Sequence, residues 1–329
     1  MRNITLLLFG SAYGMLLSFP VQGYKAVSIF FSTVSIAAGY YLIVVLWKVL
    51  KNVPATTSTR LLKAGLFYLG LSAVGPFATG PLIATGLQGT ALYFDAIYFY
   101  LHFQYNGWFT FAVLAMLYKQ LERTGTATHG TTVFWLLNLA CIPAYALSLL
   151  WSQPPLVFHV IGGAAALLQM IAVIYLLQDV PFQQWKHTWK GQLYLIAISA
   201  FVLKNILQVA SAFPQVATLG YQYRNFIIAY LHLVLLGFIS IYFFASVCAI
   251  YRTATPRFKY GFSIFLLAFL TTELLLVANA CGSLLGFIIP QYTAWLLFSS
   301  CLFPIGIFIM TMGILKSLPA SPGNYYFKI

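Results

Sequence analysis

The chain has 329 residues, of which 61% are hydrophobic and only 6% are charged. This composition excludes a soluble globular protein, because so few charged side chains cannot cover an apolar surface of that size. The net charge of +13 would suit a nucleic-acid-binding protein, but the placement of the basic residues argues against that function.

Runs of about 20 apolar residues, the length that crosses the ~30 Å hydrocarbon core of a bilayer as a helix, recur along the whole chain. They predict an all-α fold, a polytopic bundle of about ten transmembrane helices that forms a single integral membrane domain over residues 1–329. The loops between the runs are short, which favours antiparallel neighbouring helices. The predicted spans cover residues 4–20, 26–48, 63–87, 95–118, 132–151, 155–177, 191–212, 226–250, 259–288 and 293–315.

The basic side chains indicate how the helices are oriented. When the loops are assigned alternately to the two sides of the membrane, one side receives only Lys25 and Arg224, and Lys204 lies inside a span. By the positive-inside rule, this asymmetry predicts that both termini are cytoplasmic and that the number of spans is even. The fourteen basic residues that fall on the predicted cytoplasmic side are Arg2, Lys48, Lys51, Arg60, Lys63, Lys119, Arg123, Lys186, Lys190, Arg252, Arg257, Lys259, Lys316 and Lys328.

A short motif occurs twice along the chain. The fourth predicted span contains YLHFQYNGWF, Tyr100 to Phe109, and the eighth contains YLHLVLLGFI, Tyr230 to Ile239. Both copies carry Tyr-Leu-His and a glycine five residues after the histidine. Because the copies lie four spans apart, the match favours a four-helix unit used twice, with its copies centred on helices 4 and 8.

Three histidines lie inside predicted spans: His102 in the fourth, His159 in the sixth and His232 in the eighth. At 1.5 Å of rise per residue, each lies roughly 8–12 Å below the outer surface. The three spans run in the same direction, which favours convergence of the imidazoles in the outer third of the bilayer. Imidazole is a common neutral ligand for metals, so the pattern predicts a site for copper, iron or haem. The alternative is that each histidine only hydrogen-bonds a neighbouring helix.

Two charged residues lie deep in predicted spans: Lys204 in the seventh and Glu273 in the ninth. An unpaired charge at such depth is costly, so both are candidates for function. A Lys204–Glu273 pair is predicted, which either fixes packing or handles protons. Glu273 is also a candidate fourth metal ligand beside the histidines, or a carrier of protons toward them. Tyr105, three residues after His102, is a candidate proton or electron donor, or an interfacial anchor.

The two histidine-bearing stretches resemble those of the catalytic subunits of haem-copper oxidases and nitric oxide reductases, and of the related NnrS group of haem- and copper-containing membrane proteins. One helix of that family typically reads H-x-H-x-x-x-x-G, and its second histidine binds the non-haem metal. The resemblance implies that His232, followed by Gly237, binds this metal. It also implies that His102 lies on the earlier metal-binding helix and that Glu273 matches a glutamate near the metal. Tyr230 stands where the family has its haem-binding first histidine.

These observations support three functions from different classes. The first is a metal- or haem-binding membrane protein that performs redox chemistry on, or senses, a small diatomic molecule such as O2 or NO, and that is oxidoreductase-like if enzymatic. The second is a proton-coupled small-molecule transporter that uses the Lys204–Glu273 pair, and the third is a non-catalytic membrane assembly subunit. The predicted partners are the lipid bilayer and an electron donor or other membrane subunit, but no nucleic acid. The predicted location is the bacterial cytoplasmic (inner) membrane.

Overall fold

The structure, a computed structural model, describes residues 2–23, 25–251 and 254–315. Every regular element among these residues is a helix, as the apolar runs predict. The chain divides into two compact units, one that ends at Gln153 and one that begins at Pro154. The boundary falls between the fifth and the sixth predicted spans, so each unit contains the positions of five of them.

The first unit is built from α-helices, one short 3-10 helix (Leu150–Ser152) and one π-helical segment, π1 (Phe103–Phe109), inserted between α5 and α6. Helices α1 and α2 pack against each other, and α3 packs against both π1 and α6. The α-helices of this unit are α1 (Arg2–Gln22), α2 (Ala26–Leu50), α3 (Thr57–Ser72), α4 (Val74–Ala84), α5 (Ala91–His102), α6 (Thr110–Thr124), α7 (Gly130–Cys141) and α8 (Tyr145–Ser148).

The start of α3 is capped by a side chain from another helix. The Glu122 carboxylate, in the last turn of α6, accepts a hydrogen bond from the Ser58 backbone N–H at 2.9 Å and one from the Ser58 hydroxyl at 2.7 Å. The first N–H groups of a helix have no partner within the helix, and a negative charge near them is favourable. Glu122 therefore ties α6 to α3 at this end of the unit.

The second unit also contains a π-helical segment, π2 (Leu233–Ser240), between α13 and α14. Its last two helices approach so closely at Gly261 and Gly306 that a Cβ on Gly306 would lie 2.8 Å from the Gly261 carbonyl oxygen. The α-helices of this unit are α9 (Leu156–Asp179), α10 (Phe182–Trp185), α11 (Trp189–Ala210), α12 (Pro214–Gln222), α13 (Arg224–His232), α14 (Ile241–Tyr251), α15 (Pro256–Leu285) and α16 (Tyr292–Leu315).

Eight helical segments of the described residues are long and apolar enough to cross a membrane, judged by length and composition. They coincide with predicted spans 1–3 and 6–10, and a lipid bilayer is the environment that suits them. The chain is thus an integral membrane protein. The fourth predicted span is helical from Ala91 to Thr124 through α5, π1 and α6, but it is not one of the eight. The count of ten and the cytoplasmic termini stay predictions.

The fifth predicted span, residues 132–151, is not one continuous helix in the structure. Helix α7 ends at Cys141, a turn that contains Pro143 follows, and α8 begins at Tyr145. Proline has no backbone N–H and its ring clashes with the preceding turn, so it interrupts a helix. The Tyr145 N–H, which a continuous helix would direct at Cys141, donates to Ile142 instead. The Cys141 carbonyl therefore lacks the helical hydrogen bond that the Tyr145 N–H would supply.

Both copies of the repeated motif have the same local structure. His102 ends α5 and His232 ends α13, and each is followed directly by a π-helical segment. Each segment is closed by a hydroxyl that donates to the carbonyl five residues earlier, from Thr110 at 2.6 Å and from Ser240 at 2.8 Å. Both hydroxyl residues stand eight positions after the histidine. Inserted π-turns are rare and frequently lie at functional sites.

The motif glycine lets a neighbouring side chain approach each π-segment closely. A Cβ on Gly107 would lie 2.6 Å from the Cβ of Tyr68 on α3, and a Cβ on Gly237 would lie 2.8 Å from the ring tip of Phe269 on α15. Real Cβ atoms do not tolerate such distances without movement of the neighbour. Packing of the π-segments therefore explains why both copies carry glycine.

Candidate functional site

His102 is buried, and both of its ring nitrogens have partners. Its Nε2 lies 2.9 Å from the Cys141 carbonyl oxygen, and its Nδ1 lies 3.2 Å from the Asn106 side-chain nitrogen. Because a carbonyl can only accept, Nε2 carries the proton and Nδ1 accepts from the amide. The Cys141 carbonyl is the one released by the break after α7. His102 thus donates a hydrogen bond to the last carbonyl of α7, within the first unit.

His159 makes a similar contact in the second unit. It lies in the first turn of α9, and its Nδ1 is 2.9 Å from the carbonyl oxygen of Ala212, just beyond the end of α11. The last carbonyls of a helix lack partners within that helix. The imidazole N–H supplies one, so the observed contact of His159 caps α11.

His232 differs from the other two because it meets an acidic side chain. Its Nδ1 lies 3.3 Å from Oε1 of Glu273, and the two side chains are 32% and 19% exposed. Helices α13 and α15, which carry them, pack together. The two atoms are not aligned for a hydrogen bond, and neither has another hydrogen-bond partner among the described residues. This pair of titratable groups inside spanning helices is the candidate site.

Lys204 and Tyr105 lie on different units. Lys204 is buried on α11, with its Nζ 5.8 Å from the centre of the Phe201 ring. Its contact with Glu273 stays a prediction, since the contact that the structure gives Glu273 is with His232. Tyr105 is half-buried in π1, and its carbonyl accepts the hydrogen bond that closes this segment. Its role as a proton or electron donor also stays a prediction.

The predicted metal ligands are divided between the units, with His102 in the first and His159, His232 and Glu273 in the second. Within each unit, the described residues contain no group of three or more His, Cys, Asp or Glu side chains placed to hold a metal ion. The His232–Glu273 pair alone offers two donors, fewer than the three or four protein ligands of typical zinc sites. The pair alone thus offers fewer ligands than a typical zinc site, and the predicted four-residue site for a metal or haem stays a prediction.

Two features of the site region were missed from the sequence. One is the hydroxyl residue eight positions after each motif histidine, which a longer alignment of the two copies would have found. The other is Pro143, whose position in an apolar run indicates a helix break. That break explains the partner of His102.

Comparison with protein-family models, with curated proteins and with solved structures finds no match to this chain. The resemblance to haem-copper oxidases and nitric oxide reductases stays a prediction. The function must therefore be argued from the geometry of the site.

Proposed function

We propose that the chain is a proton-coupled membrane transporter of small molecules, and that His232 and Glu273 together bind the coupled proton. The observation that carries the proposal is the 3.3 Å approach of His232 Nδ1 to Glu273 Oε1 between two apolar helices. Ionisable residues inside spanning helices are expensive to keep and commonly belong to proton or substrate pathways. His232 is the side chain that faces Glu273 in the structure, and a contact between Glu273 and Lys204 stays a prediction.

The chemistry of the pair suits proton exchange. With one shared proton the pair carries no net charge, whether the proton is on the imidazole or on the carboxyl. Binding a second proton makes the pair positive, and losing the first makes it negative. In a medium of low dielectric, each change of net charge alters the stability of the surrounding conformation, which is how protonation can drive a conformational step.

Interrupted helices are a second support for transport. A π-segment follows the motif histidine at the corresponding position of each unit, whereas the breaks at Ala73 and after Cys141 lie in the first unit. Broken helices at repeated positions are common where transporters bind substrates and coupling ions. Metal- or haem-based redox chemistry or sensing, at the site proposed from the sequence, is the competing function. It has less support because both ring nitrogens of His102 already have partners.

Infrared difference spectroscopy of the reconstituted protein at two pH values tests the proton site. The chain has only four acidic residues, so the C=O stretch of a protonated carboxyl can be assigned by substitution. We expect a band that is lost in Glu273→Gln, shifted in His232→Gln and unchanged in Glu122→Gln, the matched control. A band that persists in Glu273→Gln would overturn the proton site.

Liposomes loaded with a pH-sensitive dye test transport directly. Addition of a transported solute is expected to change the internal pH with the wild-type protein but not with Glu273→Gln. A bound metal or a haem absorbance in the purified protein that is lost with His232→Gln would instead favour the competing function. A bacterial cytoplasmic membrane and an electron-donor subunit stay predictions in both cases.

A further inference from the structure

Helix α15 meets the second copy of the motif at two places. At the first, Glu273 faces His232 at the end of α13. At the second, the ring tip of Phe269 lies against Gly237 in π2, where a Cβ would be 2.8 Å from the ring Cζ. Phe269 precedes Glu273 by four residues, about one helical turn, so both side chains leave the same face of α15. The two contacts therefore lie about one turn apart.

The π-segment brings Gly237 onto the face of the helix that carries His232. The glycine follows the histidine by five residues, and in an α-helix that spacing places it roughly 140° around the helix axis. A π-turn instead closes between residues five apart, so the glycine returns close to the face of the histidine. This turn thus gives one surface to α13 and π2, with a histidine and, one turn later, the space beside a glycine.

Phe269 fills the space beside Gly237 tightly. Its ring is only 6% exposed. A Cβ on Gly237 would also lie 3.3 Å from the Ala200 Cβ of α11 and 3.4 Å from the Leu233 Cδ1. In an interior packed this closely, a ring cannot slide without moving its neighbours. A shift of α15 along its axis would therefore disturb this contact together with the His232–Glu273 pair one turn away.

We infer that Phe269 is a positioning residue, whose ring, seated against Gly237, holds α15 in the register at which Glu273 faces His232. The inference rests on the proposed function, since it assigns the residue that sets the geometry of that proton site. Among the helices that contact α15, π2 and α16 carry no Lys, Arg, His, Asp or Glu. The other charged residue of α13, Arg224, lies at its opposite end. His232 is thus the titratable group that this register brings to Glu273.

Cross-linking measures the separation of the pair without relying on its proton. His232→Cys and Glu273→Cys are combined in a full chain whose four native cysteines are replaced by alanine. The protein in lipid nanodiscs is treated with dibromobimane, which fluoresces when it bridges two nearby thiols. Gly237→Ala displaces the ring tip, and we expect it to slow bridging by about fivefold or more. An unchanged rate, or no bridging in the parent chain, would overturn the inference.

A compensating substitution and a matched control separate positioning from general packing. Adding Phe269→Leu to Gly237→Ala nearly conserves the total volume, so the bridging rate should recover, and a rate that stays slow would contradict the inference. The control, Phe265→Leu, shortens a buried ring one turn earlier on α15 that packs against Phe244 and Phe303. It should lower stability and leave the bridging rate unchanged, whereas equal slowing would overturn the assignment. If Gly237→Ala does not fold, Phe269→Leu alone decides, because it removes the ring without adding an atom.

The infrared carboxyl band distinguishes this inference from the proposed function. In the chain with native His232 and Glu273, Gly237→Ala should raise the midpoint pH of the Glu273 band by about one unit, because a more distant imidazole stabilises the carboxylate less. Phe265→Leu should leave the midpoint unchanged. An unchanged or lower midpoint in Gly237→Ala would contradict the positioning role. If the wild type shows no Glu273 band, the proposed proton site fails, and the bridging rates alone decide whether Phe269 positions the pair.

Discussion

A double-mutant cycle on His232 and Glu273 measures whether the pair is ionic. The variants are His232→Gln, Glu273→Gln and the double substitution, which replace each titratable group with a neutral amide. Each single variant leaves the remaining partner at membrane depth without the group it faces. The double variant leaves two amides that can hydrogen-bond each other. We therefore expect the double variant to be more stable than the sum of the single losses predicts.

The expected size of the coupling follows from the 3.3 Å separation. Opposite unit charges at this distance attract by roughly 5 kcal/mol at an effective dielectric constant of ~20. Desolvation of both groups removes part of this gain, and because both side chains are partly exposed we expect a net coupling of about 2–3 kcal/mol. Neutral hydrogen bonds between membrane helices couple by about 0.6 kcal/mol on average and reach about 1.7 kcal/mol. A coupling above that limit thus distinguishes an ionic pair from a neutral contact.

The assay is reversible unfolding of the four proteins in bicelles by added sodium dodecyl sulfate, followed by circular dichroism. Identical helicity of the four folded proteins is the control that the substitutions do not disturb the bundle. A coupling free energy of about 1.7 kcal/mol or less would refute the ionic interpretation. The pair would then be a neutral contact, and the infrared test would decide whether Glu273 carries the proton.

Three further predictions concern the motif, the helix cap and the topology. Gly107→Ala places a Cβ 2.6 Å from the Cβ of Tyr68. Although alanine favours a helix more than glycine does, we expect the free energy of unfolding, measured in the same assay, to fall by about 1–2 kcal/mol. Gly10→Ala, which meets no atom within 4 Å, should be neutral or slightly stabilising. Glu122→Gln removes the charge from the two hydrogen bonds to Ser58, and we expect the free energy of unfolding to fall by about 1 kcal/mol. An unchanged free energy of unfolding would mean that the charge of this cap does not stabilise the fold. Alkaline phosphatase fused after Ile329 should be inactive if the C-terminus is cytoplasmic, and an active fusion would invert the predicted topology.

The helical membrane class was predictable because its causes are local. In lipid, a run of about 20 apolar residues can pair its own backbone N–H and C=O groups only as a helix. Eight such runs form long apolar helices. The helix of the fifth predicted span is interrupted for an equally local reason, since hydropathy averages over Pro143 and does not register its missing N–H. The π-segments also have a local signal in the hydroxyl eight residues after each histidine, but that signal is visible only once the two copies are aligned.

The sequence by itself determined which side chains are candidates for chemistry, because a histidine or a glutamate in an apolar run is conspicuous wherever it points. Only the tertiary structure decided what each one contacts. The partner of His102 is a carbonyl 39 residues away and that of His159 is a carbonyl 53 residues away, whereas His232 meets the carboxyl of Glu273. The two motif histidines thus share a sequence and a local helix geometry but have different partners. Helix packing sets those partners, and no pattern within ten residues of the histidine encodes it.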